Sequence, residues 1–99
     1  MVGRRKAYEP RCPSLACHAM STSLYRVKPE TLGLPPELSE LIEPGDEVWK
    51  CSYCGLVWSQ STASYPGFDP TLIARYDAKT TKFFPVRRDF PVHPDNKPR

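Results

Sequence analysis

A chain of 99 residues is one domain at most, near the size at which an apolar core alone becomes marginal. Only 39% of it is hydrophobic and it carries 12 prolines, more than twice ordinary usage, so much of it is expected to run as extended, partner-dependent segments. No stretch approaches the roughly 20 apolar residues of a membrane span, and the net charge of +3 hides two basic ends around an acidic middle.

Residues 1–10, "MVGRRKAYEP", read as a flexible basic arm. Arg4, Arg5 and Lys6, with Arg11 just beyond, face Glu9 alone. Such an arm either touches phosphates or is a solvated tail. No apolar run follows its basic residues, so it does not read as a secretory signal. A cytoplasmic or other reducing compartment is expected, where cysteines more often bind metal than pair as disulfides.

Residues 11–62 hold most of the pattern. "RCPSLACHA" carries Cys12 and Cys17, and "STSLYRV" follows as a short β-rich run with Leu24, Tyr25 and Val27. "KPETLGLPPELSELIEPGD" interrupts with a short helix around 35–43. Pro35 and Pro36 suit its start, Leu38, Leu41 and Ile42 recur at helical spacing, and Pro44-Gly45 ends it. Glu37, Glu40 and Glu43 form a solvated face. "DEVWKC" then reads as a strand entering the second cysteine pair and "GLVWSQS" as a strand leaving it. In residues 63–99, Asp69-Pro70 caps a predicted helical turn or two through Tyr76. The remainder, "TTKFFPVRRDFPVHPDNKPR", has too many prolines for a continuous helix or a central strand and is expected to lie extended.

The cysteines follow the pattern Cys-x4-Cys, 33 intervening residues, Cys-x2-Cys-Gly. In a Cys-x-x-Cys turn the backbone N–H groups after the first cysteine can point at its sulfur, and a following glycine permits positive φ. Cys51, Cys54 and Gly55 meet this well. Cys12 and Cys17 form a wider loop in which His18 stands in the glycine position and Pro13 favours a turn. "WKCSYCGLVW" closely resembles the second half of a zinc ribbon, in which two cysteine knuckles on β-hairpins clamp one structural zinc. The resemblance covers about residues 11–60. It implies that Cys12, Cys17, Cys51 and Cys54 are the Zn²⁺ ligands, with Tyr25, Val27, Trp49 and Trp58 on or beside the ribbon strands. The first knuckle is wider than usual, and the linker is longer than the simplest pattern of roughly 15–20 residues, which a looped-out helix around 35–43 accounts for. The expected architecture is thus a small, metal-stabilised, mostly-β domain: a zinc ribbon with a short inserted helix and extended arms.

Rival readings of the same cysteines remain. "CSYCGLVW" also looks like a rubredoxin-type iron knuckle, although that family has two equivalent Cys-x-x-Cys-Gly knuckles; sites of four thiolates suit both metals. A thioredoxin-like dithiol lacks its βαβ context, and disulfides require export. His18 replaces Cys17 as a ligand only if Cys17 points away. His93 lies in the proline-rich tail and reads as solvated.

Nothing points to an enzyme. Four thiolates close a zinc site, and the sequence has no Gly-rich phosphate loop, HExxH, GxSxG or deaminase signature. Two function classes stand. One is an adaptor or small subunit docked on a larger protein or nucleoprotein assembly through Phe83, Phe84 and Phe90, with Arg87 and Arg88 meeting acidic protein or phosphate. The other is a direct nucleic-acid-binding ribbon, with Arg4, Arg5 and Lys6 on phosphates and Tyr25, Trp49, Tyr53 or Trp58 on bases. At least half of those four aromatics are expected to be core.

Overall fold

β-branched and aromatic residues alternate in side-chain direction along the centre of this chain, and that period of two builds a sheet covered on both faces. The computed structural model describes residues 11–17, 21–63, 70–87 and 89–92. Five strands follow in chain order: β1 (Leu24–Val27), β2 (Glu47–Cys51), β3 (Leu56–Gln60), β4 (Thr71–Asp77) and β5 (Lys82–Pro85). Each pairs antiparallel with the next, so the sheet is a meander in the order β1-β2-β3-β4-β5.

The register explains the burial. Leu24 lies opposite Cys51, Trp49 opposite Trp58, and Trp58 opposite Leu72. On this face Leu24, Cys51, Leu56 and Trp58 pack with Cys12 and Cys17, and Trp49, Leu72, Val86 and Phe90 join at the margin. The intervening residues Val48, Val57, Ile73 and Ala74 pack with Leu38 of the linker, and Val27, Leu32, Leu34, Ile42 and Phe83 complete that second cluster. β3, central and covered on both sides, is therefore buried at all five positions. A register shift between Val57 and Trp58 lets β4 present two consecutive buried residues, Ile73 and Ala74, to it.

The two indoles, one buried and one half-buried, are satisfied by neighbours two residues away on the same strand face. Trp58 Nε1 donates to Gln60 Oε1 at 2.7 Å, and Trp49 Nε1 donates to Glu47 Oε1 at 2.7 Å. Glu47 is almost buried and also meets Arg26 at 3.8 Å. Burying an indole without such an acceptor would forfeit its hydrogen bond to water.

Between β1 and β2 the chain makes a 3₁₀ turn at Pro29–Thr31 and a single helical turn, α1 (Pro36–Ser39). Leu38 is buried there, Ile42 packs beside it and Leu41 is exposed, so the inserted helix is shorter than residues 35–43 suggest.

The predicted helix through Tyr76 is corrected: Thr71–Asp77 is strand β4. Asp69 lies outside the described residues. Pro70 precedes the strand, where a missing N–H costs no ladder bond. Pairing with β3 outweighs the local helix-start signal, because β3 would otherwise bury an unpaired backbone edge. The tail is extended, and it is also paired, as an edge strand. Lys82–Pro85 forms β5, after a turn in which Thr81 takes φ 55°. Val92 then makes an isolated bridge with Ser14, and Leu15 N–H donates to the Pro91 carbonyl at 3.0 Å. Residues on both sides of position 63 thus share one sheet. The basic arm, residues 1–10, lies outside the described residues.

If β4 is a core strand, Ile73→Ala should cost about 2–4 kcal/mol in denaturant unfolding. Lys82→Ala on exposed β5 should stay within about 0.5 kcal/mol. Equal, small costs at the two positions would be the mark of a solvent-facing helical turn instead.

Candidate metal centre

The four cysteines come from two loops that the sheet brings together. Cys51 closes β2, and the turn after it is fixed by the Gly55 N–H donating to the Cys51 carbonyl at 2.9 Å. Gly55 takes φ 83°, and a Cβ there would lie 2.5 Å from the Tyr76 carbonyl oxygen. Only glycine permits both the left-handed turn and the close passage of β4. The Gly55 carbonyl in turn accepts from the Tyr76 N–H at 2.8 Å, and the Cys54 carbonyl accepts from Arg75 Nε at 3.3 Å. On the other side, Ser52 N–H and Oγ both donate to the Ser23 carbonyl, at 2.8 and 3.1 Å. The knuckle is therefore tied to the β1 end and to β4.

The first loop is held differently. Cys17 N–H donates to the Ser14 carbonyl at 3.1 Å, Pro13 is fully buried, and the bridge to Val92 pins Ser14. Two extra residues in the loop are accommodated by this turn. Cys17 points inward, so the condition under which His18 would replace it is not met; His18 and His93 lie outside the described residues.

The sulfurs converge. Cys12 Sγ lies 3.4 Å from Cys54 Sγ, and Cys17 Sγ lies 3.7 Å from Cys51 Sγ. All four Sγ atoms fall within 4.8 Å of one another. A tetrahedron with metal–sulfur bonds of about 2.3 Å has sulfur–sulfur edges of about 3.8 Å, so the cage matches a tetrathiolate ion. A disulfide needs about 2.05 Å, and these separations are far longer; all four cysteines are free thiols. Cys12, Cys17 and Cys51 are buried, and Cys54 is partly exposed.

Protons are shared unequally in this cage. The Cys12 thiol is pushed well above its ordinary value, first because it donates to Cys54 and then because it is buried. Cys54 is lowered to about 5, first because it accepts from Cys12 and further because the Leu56 backbone N–H and the Cys17 and Cys51 thiols favour its thiolate; burial opposes this. The Ser14 backbone N–H similarly favours ionised Cys12, though it is outweighed. These N–H···S contacts, each from two residues beyond the cysteine, are the type of bond that stabilises metal-bound thiolates. Arg11, which precedes Cys12 in the chain, is half-buried and its Nε finds no hydrogen-bond partner among the described residues.

The partner-binding candidates fare unevenly. Phe83 packs into the second cluster, with its ring 5.0 Å from that of Tyr76, and Phe90 packs against the cysteine cluster. Phe84 is 47% exposed, and Arg87 is exposed with Asp89 at 3.6 Å. Arg4, Arg5, Lys6 and Arg88 lie outside the described residues. Of the four aromatics weighed for base stacking, Trp58 is fully buried and Trp49 half-buried, while Tyr25 and Tyr53 are 55% and 77% exposed. Arg75, Tyr76 and the Ser14–Val92 bridge went unnoticed in the sequence, because no local motif marks a residue that touches a knuckle from another strand.

These features define a class: a five-stranded antiparallel meander whose second hairpin carries half of a four-cysteine cage able to hold a metal ion. The chain matches no family model, no curated protein and no solved structure.

Thiolates bind metal and thiols bind it poorly, so acid competes with the ion. Cys12 is raised, so it must give up a proton to bind the ion throughout this range, whereas Cys54, lowered to about 5, stays ionised until that pH and adds its own competing proton only below it. Metal affinity should therefore fall as pH drops from 8 to 5 and more steeply below about 5, measured by competition with a chromophoric chelator. An affinity that is flat over that range would contradict ligation by thiolates.

Proposed function

We propose that the chain is a non-catalytic zinc ribbon, a module clamped by one structural Zn²⁺ that docks on a larger protein or nucleoprotein assembly. The observation that carries the metal reading is the cage itself: four sulfurs within 4.8 Å, three of them buried. Cys12, Cys17, Cys51 and Cys54 would hold the ion and occupy every tetrahedral position. Zinc so bound supplies a cross-link between the two loops and no open site for water, which favours scaffold over catalyst. Four thiolates and Zn²⁺ carry a net charge of about −2, so basic residues near the ligands in the chain, such as Arg11 next to Cys12, would help to offset it. The tetrathiolate set suits iron as well. The unequal loops, Cys-x4-Cys against Cys-x2-Cys-Gly, favour zinc over the paired knuckles of a rubredoxin-type carrier.

Support for docking comes from apolar surface that the sheet does not use. Leu15, Tyr25, Leu41, Tyr53 and Phe84 are all large and exposed on a chain of 11.3 kDa. Free thiols and a structural metal fit a reducing compartment.

The test has two parts. Elemental analysis of the purified chain should give one zinc per chain, lost together with the fold on chelation. In a size gradient of native cell extract, a tagged chain should migrate with large particles. Iron with visible colour would favour an electron carrier. Migration wholly at the position of the free chain would overturn docking.

A further inference from the structure

A groove of about 870 Å³ opens beside the second knuckle, between that turn, the end of β4 and the chain beyond β5. Lys50, Arg75, Lys79 and Arg87 line it, against the carboxylate of Asp77. Asp77 is already engaged, accepting from the Lys79 backbone N–H at 2.9 Å. Arg87 meets Asp89 at 3.6 Å, but both partners are more than three-quarters exposed, so this is a weak pair that a phosphate can displace.

Aromatic residues line the same groove as these cations. Tyr53, at the tip of the knuckle, is 77% exposed, and Phe84, across the groove, is 47% exposed. Tyr76 also contributes to the lining, and Lys50 Nζ lies 4.6 Å from its ring centroid. A groove lined by four basic residues and two exposed aromatic rings has the chemistry of a single-strand track: cations follow the phosphates while bases stack on the rings. An acidic peptide would use the cations but offers no planar groups for Tyr53 and Phe84. A duplex hides the faces of its bases.

We infer that the groove lined by Lys50, Tyr53, Arg75, Lys79, Phe84 and Arg87 binds single-stranded nucleic acid by phosphate contact and base stacking. The inference rests on the docking reading above and names the component of the assembly that the module touches. The metal cage then does more than hold the fold. It fixes the turn that carries Tyr53, and through the Cys54 carbonyl it anchors Arg75.

Fluorescence anisotropy of the zinc-loaded full chain tests this, with labelled 12-nucleotide RNA and DNA single strands, the matching duplexes and polyglutamate. Single strands should bind more tightly than duplex. With three to four phosphate contacts the affinity should fall about 20- to 50-fold between 50 and 200 mM salt. Tyr53→Ala and Phe84→Ala should each weaken binding about 5- to 100-fold, and exposed Lys79→Glu should weaken it while flattening the salt dependence. Thr62→Ala, in the exposed turn after β3, should change nothing. Circular dichroism and zinc content of every variant confirm that the fold is retained; Tyr53 and Lys79 are both exposed, so at least these two variants keep it. Binding to polyglutamate but not to single strands would overturn the inference in favour of an acidic protein surface. Equal binding of single strands and duplex, indifferent to Tyr53 and Phe84, would overturn the stacking track. No binding at all by folded, zinc-loaded chain would overturn the groove's assignment and leave the clamp and the docking reading standing.

Discussion

The convergence of four sulfurs is the constraint on which the rest of the structure depends. Cys12 and Cys17 precede the sheet, while Cys51 and Cys54 bracket its first tight turn, and 33 residues separate the two pairs. Bringing them together closes a long loop, which costs entropy that a small apolar core cannot readily offset. An ion bound by all four thiolates would supply the missing free energy, because a site of this kind has no counterpart in the unfolded chain. Leu24, Leu56 and Trp58 pack directly around the buried cysteines, so cysteine cage and hydrophobic cluster are one unit. The tail reports to the same unit. Phe90 packs on it, and the Val92–Ser14 bridge closes over the first loop.

The opposite face of the sheet has a conventional cover. The linker between β1 and β2 folds back so that Leu32, Leu34, Leu38 and Ile42 lie over Val48, Val57 and Ile73. Two covers, one built on sulfur and one on aliphatic side chains, leave β3 without a solvent-facing residue. A meander of short strands with low apolar content gains from this arrangement, since its central strand forfeits no contact area to water.

Local signals carried part of this into the sequence. The strands around the second knuckle were legible because alternation, the cysteine spacing and Gly55 all agree, and Gly55 indeed takes positive φ. The linker helix was legible in kind, with Leu38 and Ile42 correctly inward and Leu41 not. β4 was illegible because Asp69-Pro70 is a good helix start read alone. What decides its conformation is pairing with Leu56 and Val57, residues more than a dozen positions away. The roles of Phe83 and Phe90 were obscured for the same reason. So small a domain is not expected to cover all three tail phenylalanines, and Phe84 is indeed exposed, but β5 and the returning tail give Phe83 and Phe90 each a cluster to join. The cage was legible as residue types, whereas the groove was not, since it is assembled from β2, the knuckle, β4 and the segment after β5. The same turn thus faces two ways: its cysteines inward, its tyrosine outward.

The central claim is that four thiolates from two loops share one ion. X-ray absorption at the metal edge of the purified, metal-loaded chain tests it most directly. The account predicts a single shell of four sulfur scatterers at about 2.3 Å with a zinc edge. A shell with nitrogen or oxygen neighbours at about 2.0–2.2 Å in place of a sulfur would contradict it, as it would mean that one cysteine of the cage is not a ligand.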